Sequence, residues 1–184
     1  MKKKSLSLVL LCVILTMSMV IFAGCGKDDG TKEPDGDTNV PKEQDYSVTL
    51  FFANEEYVAM GDESLEKFKV YQKDITSKPG EVYKDTLEEL RTVPEAGYNT
   101  MIFDQIQFND VYLEGDTIYV DLNSDGLNGG SLEETFLISQ IVDTLINSFN
   151  EVKQVQFLVD GQPAESLMGH VDAADPFTED LFSE

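Results

Sequence analysis

Residues 132–149, LEETFLISQIVDTLINSF, give the clearest indication of the fold, because their apolar side chains recur at the spacing of an α-helix. The main stripe and the residues that broaden it are Leu137, Ile141, Leu145, Phe149, Phe136, Ile138, Val142 and Ile146. An apolar face of this width is typical of a helix that packs on a sheet. We therefore interpret this segment as the main core helix.

The segments before and after this helix have the alternating pattern of half-buried strands. Residues 106–111 lead into the turn EGD at 114–116, and residues 117–122 then alternate apolar with polar side chains, which predicts a β-hairpin. Residues 152–159, VKQVQFLV, predict another strand, which ends at the turn pair Asp160-Gly161. The helix is therefore expected between a hairpin and a further strand.

The first half of the folded region has its own strand and helix patterns. Residues 48–53 (VTLFFA) and 68–75 (FKVYQKDI) each predict a strand. Residues 81–92 carry apolar side chains among acids and lysine, which predicts an amphipathic helix that stops near Pro94. The tail, residues 162–184, still contains spaced apolar residues, so it is expected to fold back over the domain.

A loop with acidic or amide side chains at every second position precedes the core helix. Asp121, Asn123 and Asp125 fill the first, third and fifth positions of the EF-hand pattern, and Gly126 fills the sixth. The twelfth position, which should be a bidentate glutamate, is Leu132. Weak calcium binding by the three polar residues stays open as one interpretation, and calcium is the only cofactor that the sequence suggests.

The same loop also fits a structural corner between a strand and a helix. Ser131 and Glu134 form the pattern S-x-x-E, in which each side chain satisfies a free amide at the start of a helix. Glu133 and Glu134 also complement the positive end of the helix dipole. Under this interpretation Ser131 and Glu134 are capping residues.

Other signs of chemistry are scarce. His170 is the only histidine, which excludes a two-histidine zinc site and predicts a structural hydrogen-bonding role. Arg91 is the only arginine and is expected to form a surface ion pair at a helix end. The chain lacks the nucleophile elbow, the P-loop and the dinucleotide fingerprint. The sequence therefore predicts that the protein is not an enzyme.

Residues 1–24 have the features of an export signal: three lysines, an apolar run, and the small pair Ala23-Gly24. Cys25 follows directly, as in a bacterial lipoprotein box, where the thiol takes a diacylglycerol and cleavage makes the cysteine the first residue. An uncleaved anchor helix is the alternative. Both interpretations place the domain on the extracytoplasmic face of the cell membrane, because the lysines stay inside.

Composition separates a tether from a domain. Residues 25–45 are polar and acidic and are expected to be disordered, whereas residues 46–184 are long enough for one core. Removal of residues 1–24 takes away three of thirteen basic residues and none of the 35 acids, which leaves a formal charge of −25. Such a charge repels phosphate backbones, so nucleic acid is excluded as a partner.

Several segments together resemble the GerMN domain of sporulation and germination lipoproteins in Gram-positive bacteria. They are VTLFFANEEYV, IYVDLN, the pair Gly130-Ser131, IVDTL, and VQFLVDGQPAESLMGHVDAADPF, which contains Asp160-Gly161 and Gly169-His170. The resemblance implies an α+β fold in which a single mixed or antiparallel sheet is covered by two main helices, similar to ring-building modules. It implies no catalytic residue.

The function expected from these features is that of a lipid-anchored binding or scaffold module of the envelope. Its expected partners are the membrane, through Cys25, and an envelope protein, with homo- or hetero-oligomers open. The best-known family members carry two copies of the domain, whereas this chain has one, so a role in sporulation or germination is an open expectation. The alternative is an extracellular receptor for calcium or a small ligand.

Overall fold

The computed structural model describes residues 41–178 and 181–182. The predicted export signal, the predicted lipidation site at Cys25 and the predicted tether as far as residue 40 lie outside these residues. The first strand begins at Gln44, two residues before the expected start of the domain. Within the described part, no helix has the length and apolar character needed to cross a bilayer.

The described chain alternates strands with helices, and it contains the predicted core helix, hairpin and flanking strands. In chain order the elements are β1 (Gln44–Asn54), α1 (Glu55–Met60), β2 (Phe68–Ser77), α2 (Val82–Glu89), β3 (Tyr98–Asn99), β4 (Phe108–Glu114), β5 (Thr117–Leu122), α3 (Ser131–Ser148), β6 (Gln154–Val159) and β7 (Gln162–Pro163). A 3-10 turn, Ser124–Gly126, lies between β5 and α3. The α+β class is therefore confirmed.

Two sheets replace the single sheet of the sequence-based expectation, which is wrong on this point. Sheet A has the strand order β2-β1-β3, and sheet B has the order β4-β5-β6-β7. Alternation of side chains shows that each strand is half-buried, but it carries no information on which strands share a sheet. The likeness to ring-building modules stays a prediction.

Helix α3 covers the part of β1 that β3 leaves unpaired, since β3 pairs only with Ala53 and Asn54. The backbone amide of Thr49 donates to the Ser148 hydroxyl (3.0 Å), and the amide of Phe51 donates to the Thr144 hydroxyl (3.1 Å). The Ser148 hydroxyl also donates to the carbonyl of Thr49 (3.2 Å). Two side chains of a helix thus satisfy backbone groups that a further strand would otherwise pair.

The core is built around α3, which has no solvent-facing side over much of its length. Every residue from Phe136 to Leu145 is buried, and the helix packs against β1, β6 and α2. Burial on all sides suits a segment with this many apolar side chains. The C-terminal tail folds back as expected, because Phe177 pairs with Val155 through both backbone hydrogen bonds (2.8 Å each).

Sheet B positions the candidate site. Strands β5 and β6 are parallel, with Leu122 opposite Val159, so both strands end at the same edge of the sheet. Parallel neighbours need a long crossover, and here it consists of the loop after β5 and helix α3. The loop, the helix start and the turn after β6 therefore meet at one edge.

We predict that Thr144→Val lowers the free energy of unfolding by about 1 to 2 kcal/mol, because it leaves the half-buried amide of Phe51 without an acceptor. Urea unfolding measures the change. Thr135→Val is the matched control on the same helix, since its hydroxyl bonds only to the helix carbonyl of Ser131 (2.9 Å). Equal losses in both variants would show that α3 does not close the edge of β1.

Candidate functional site

We call the region where the loop after β5, the start of α3 and the turn after β6 meet the junction. It brings together Asp121 and Asp160, two acids from the sequence analysis. Asp121 lies in β5, and Asp160 follows β6 directly. The Asp121 carboxylate accepts a hydrogen bond from the amide of Gly161 (2.9 Å), and the Asp160 carboxylate accepts one from the amide of Ser124 (3.3 Å). Each loop is thus tied to the other by a carboxylate.

The Asp160-Gly161 pair forms the predicted tight turn. Both residues have positive φ, 49° for Asp160 and 76° for Gly161, as a two-residue hairpin loop of the Asp-Gly type requires. The hydrogen bond from Ser124 holds the pKa of Asp160 below its ordinary value. This Asp-Gly turn joins β6 to β7, and its Gly161 amide donates to the Asp121 carboxylate.

In the loop after β5, whose sequence resembles a calcium site, the Asn123 side chain forms a hydrogen bond with the backbone of the loop itself. The Asn123 amide oxygen accepts from the backbone amide of Asp125 (2.9 Å), which starts the 3-10 turn. A Cβ at Gly126 would overlap the carbonyl of Gln105, so close packing of two loops accounts for this glycine. Among residues 41–178 and 181–182, no group of three His, Cys, Asp or Glu side chains is placed to hold a metal ion. Calcium binding by Asp121, Asn123 and Asp125 stays a prediction.

The start of α3 differs from the predicted capping box. The N-cap is Gly130, not Ser131, and the Glu133 carboxylate accepts from the amide of Gly130 (2.6 Å). Ser131 lies inside the helix and is exposed. The pattern S-x-x-E does not form the cap, because the Glu134 carboxylate accepts hydrogen bonds from residues 166–171 instead. The capping role of Ser131 and Glu134 is therefore wrong, and Glu133 supplies half of a box.

Glu134 is the central residue of the junction. Its side chain is 0% exposed, and its carboxylate points from the first turn of α3 into the loop of residues 166–171. The donors to its two oxygens are the hydroxyl of Ser166 (2.9 Å) and the backbone amides of Leu167 (2.9 Å), Met168 (2.7 Å), His170 (2.8 Å) and Val171 (3.2 Å). We call Glu134 with residues 166–171 the carboxylate cradle.

The cradle stabilises the charged form of Glu134. Burial alone would raise the pKa of this carboxyl, but the hydrogen bonds from Met168, Ser166 and the other donors outweigh burial and lower it. A buried carboxylate is costly unless such donors replace the lost water. Because five donors occupy its oxygens, Glu134 acts as a structural anion and has no free lone pair facing a substrate.

Gly169 and His170 complete the cradle, in line with the structural role predicted for His170. Gly169 has φ of 92°, and its amide donates to the Ser166 hydroxyl (2.5 Å). The His170 ring nitrogen Nε2 lies 3.2 Å from the carbonyl oxygen of Gly129, to which it donates because a carbonyl only accepts. The imidazole thus links the cradle to the loop before α3.

Arg91 has a larger role than the expected ion pair. The pair with Glu88 is present, but the Arg91 side chain is only 19% exposed. Its guanidinium donates to the carbonyls of Phe103 (2.9 Å) and Ile106 (2.7 Å) and lies 5.5 Å from the ring centre of Phe108. Arg91 therefore holds the segment before β4 against α2.

Two surface depressions lie away from the junction. One, of about 460 Å³, is lined by side chains that include Phe51, Phe68 and Phe182, and the other, of about 510 Å³, adjoins Arg91 and Phe103. Neither lining contains a histidine or a cysteine.

The carboxylate cradle was not predicted from the sequence, although a signal for it exists. Glu134 lies on the same helical stripe as Ile138, Ile141 and Leu145, so its position is on the buried face. A lone acid on an apolar stripe must find donors inside the fold. The sequence does not show that the donors are the backbone amides of a loop more than 30 residues later.

One family model matches most of the described chain. The family model described as "Germane: Sporulation and spore germination" matches residues 49–165. The first GerMN domain of the sporulation protein GerM from Bacillus subtilis is similar in structure, with a TM-score of 0.55, 15% identity, and coverage of 73% of this chain and 96% of that chain. At this identity the structural likeness concerns the fold alone.

Two further solved structures are similar at a lower level. The tandem GerMN domains of the same Bacillus subtilis protein give a TM-score of 0.46 at 16% identity, over 80% of this chain and 48% of that chain. A protein of Clostridium perfringens, provisionally classed as a lipoprotein, gives 0.49 at 17% identity, over 74% and 88%. No curated protein matches the chain by sequence.

We predict that Glu134→Gln lowers the free energy of unfolding by about 2 to 4 kcal/mol, because a neutral amide cannot accept from all five donors and brings its own buried N–H groups. Urea unfolding at pH 7 measures the loss. Glu133→Gln is the matched control, since its amide oxygen can still accept from Gly130 on the surface. Similar small losses in both variants would contradict a structural role for the cradle.

A second prediction concerns acid. The pKa of Glu134 in the folded protein lies below its ordinary value of 4.5, so its contribution to stability is complete above pH 4.5 and is lost as the pH falls through the folded-state value. We therefore expect the difference between wild type and Glu134→Gln to shrink below pH 4.5. Urea midpoints from pH 7 to pH 3 test this, and a difference that widens in acid would contradict it.

Proposed function

The chain belongs to the Germane family of sporulation and spore germination proteins, and from this premise we propose that it is a non-enzymatic, lipid-anchored binding module on the outer face of a Gram-positive cell membrane. Its domain holds another protein of the envelope. Cys25 carries the lipid, and the acidic tether keeps the domain off the membrane. A link to sporulation or germination follows from the family alone.

One observation supports the binding interpretation: the polar side chains that were candidates for a catalytic or metal site form hydrogen bonds within the domain. Asp121, Asp160 and Glu134 accept backbone hydrogen bonds, and the imidazole of His170 bonds to the carbonyl of Gly129. These groups rigidify the loops of the junction. Contact with other molecules is thus left to the outer surface of the domain, as in a scaffold or binding protein.

The surface offers strand edges and apolar side chains for such contacts. Strand β2 is an outer strand of sheet A, and it exposes Val70 and Tyr71. An outer strand can take an added strand from a partner. Lys69 and Lys73 on the same strand oppose self-pairing, because lysines on edge strands discourage uncontrolled association. A specific partner, or ordered assembly with further copies, is favoured over aggregation.

The lipid anchor is supported by the sequence of the first 25 residues and by the composition that follows. Two acyl chains hold a protein stably on a bilayer, whereas one chain gives only marginal binding. The mature chain would carry a formal charge of −25, so electrostatic attraction to anionic lipid headgroups cannot replace the lipid. Cys25 is therefore the residue on which the location depends.

We predict that Cys25→Ser abolishes labelling of the protein by an incorporated radioactive fatty acid and leaves the export signal uncleaved. Autoradiography of the immunoprecipitated protein and its apparent mass measure both effects. Cys12→Ser is the matched control, because that cysteine lies within the predicted signal and should change neither. Equal labelling of the Cys25→Ser variant would contradict lipidation.

Crosslinking in intact cells tests the binding role itself. With a photo-crosslinking residue at several exposed positions, we expect a recurrent envelope protein to be captured by the wild-type fold. A concentration-dependent rise of the thermal midpoint with calcium, lost in Asp125→Ala, would instead support the calcium receptor, because a ligand of the folded state raises the midpoint. Capture of no protein from any position would contradict a scaffold.

A further inference from the structure

The solvent face of sheet B carries an aromatic pair surrounded by acids. Tyr112 in β4 lies opposite Tyr119 in β5, and the two rings stack with centres 5.2 Å apart and planes 12° apart. Tyr112 is 38% exposed. A stacked pair of half-exposed tyrosines offers a flat surface of high electron density to water. Such a surface attracts cations through the ring faces.

Three carboxylates share this face. Asp110 and Asp121 are directly opposite each other across β4 and β5, and Glu114 lies two residues beyond Tyr112 on the same strand face. Glu114, Asp110 and Asp121 all contribute to the raised pKa of Tyr112, after the larger effect of its burial. We call Asp110, Tyr112, Glu114, Tyr119 and Asp121 the acidic tyrosine face.

The arrangement is electrostatically unfavourable in the isolated domain. Like charges placed opposite each other on neighbouring strands destabilise a sheet. None of the ion pairs between described residues involves Asp110, Glu114 or Asp121. The ammonium of Lys84 donates to the carbonyl of Phe108 (2.8 Å), and that of Lys153 donates to the carbonyl of Asn150 (2.6 Å).

The acidic tyrosine face is covered by the C-terminal segment on the β6 side and is open on the β4 side. The C-terminal segment covers the neighbouring part of sheet B, where the side chain of Gln156 donates to the carbonyl of Ala173 (3.3 Å) and is buried. Strand β4 is the outer strand of the sheet, so nothing in the described chain continues the sheet beyond it. A partner segment can approach from the β4 side.

We propose that the acidic tyrosine face docks a basic segment of a partner protein, with an arginine side chain over the Tyr112–Tyr119 stack and further basic side chains paired with Asp110 and Glu114. The proposal rests on the binding role above and adds the surface and the partner's chemistry. Arginine suits the site because a planar guanidinium both stacks on a ring and pairs with a carboxylate. A basic partner also matches the strong negative charge of the chain.

Peptide binding to the full-length protein in detergent micelles tests the chemistry. The probe is a fluorescein-labelled peptide of alternating arginine and threonine, and the comparison peptide has glutamate in place of arginine. Fluorescence anisotropy measures the dissociation constants. We expect binding of the arginine peptide alone, weakened by Tyr112→Thr about 3- to 30-fold, the range that one cation–π contact gives. The double variant Asp110→Asn/Glu114→Gln should weaken binding and reduce its dependence on salt.

Two control variants separate the face from the overall charge. Phe103→Thr removes an aromatic side chain of similar exposure, 39%, from the loop before β4. Glu56→Gln/Glu95→Gln removes two exposed acids from other surfaces. Both should bind the peptide like the wild type. If the controls weaken binding as much as the face variants, the peptide responds only to the net charge of the protein and the proposal is wrong. If no variant weakens binding, the proposal is also wrong.

A folding control keeps the result interpretable. Because Asp110→Asn removes a like-charge contact, that substitution should leave the urea midpoint unchanged or raise it.

A second copy of this chain could occupy the face instead of a basic partner. Self-association in sedimentation that is lost on Tyr112→Thr would assign the face to a homo-oligomer and overturn the proposal. In cells, a photo-crosslinker at position 112 should capture a basic protein. Capture only from other positions would overturn this inference and leave the binding role standing.

Discussion

The fold depends on the burial of helix α3 with polar side chains that pair with the backbone of other segments. Glu134 accepts from the loop 166–171, Gln140 accepts from the amide of Met101 (3.0 Å), and Thr144 and Ser148 bond to β1. Each of these side chains is buried or half-buried, so an unmet partner would cost free energy. The helix therefore fixes the position of both sheets and of the C-terminal loop through specific bonds as well as through apolar packing.

Sequence patterns predicted the longer elements because those elements follow local periodicity, whereas the short elements α1, β3 and β7 were not predicted. The helix stripe of α3, the hairpin around Gly115 and the Asp160-Gly161 turn all depend on residues close together in the chain. The division into two sheets could not be predicted in this way. It arises because Thr144 and Ser148 occupy the edge of β1, and that contact joins residues more than 90 positions apart.

The same reason explains what was missed at the candidate site. Ser131 and Glu134 have the spacing of a capping box, yet Glu134 turns inward because five donors in a distant loop outweigh the local bond. The loop with Asp121 and Asp125 suggested a metal, whereas the structure uses the first of these for the amide of Gly161. Local patterns thus identified the polar residues, and long-range contacts determined their roles. What remains for function is the outer surface, where Asp110 and Glu114 of β4 take part in none of the ion pairs between described residues.

The carboxylate cradle has a consequence for the order in which the chain can fold. Glu134 precedes its donors, Ser166 to Val171, by 32 to 37 residues. A chain that emerges from its amino terminus therefore presents α3 before the loop that compensates its buried charge. Until that loop arrives, docking of the helix would leave a desolvated carboxylate without donors, so the partly emerged chain stays loose. The domain is therefore expected to close only after residue 171 has emerged.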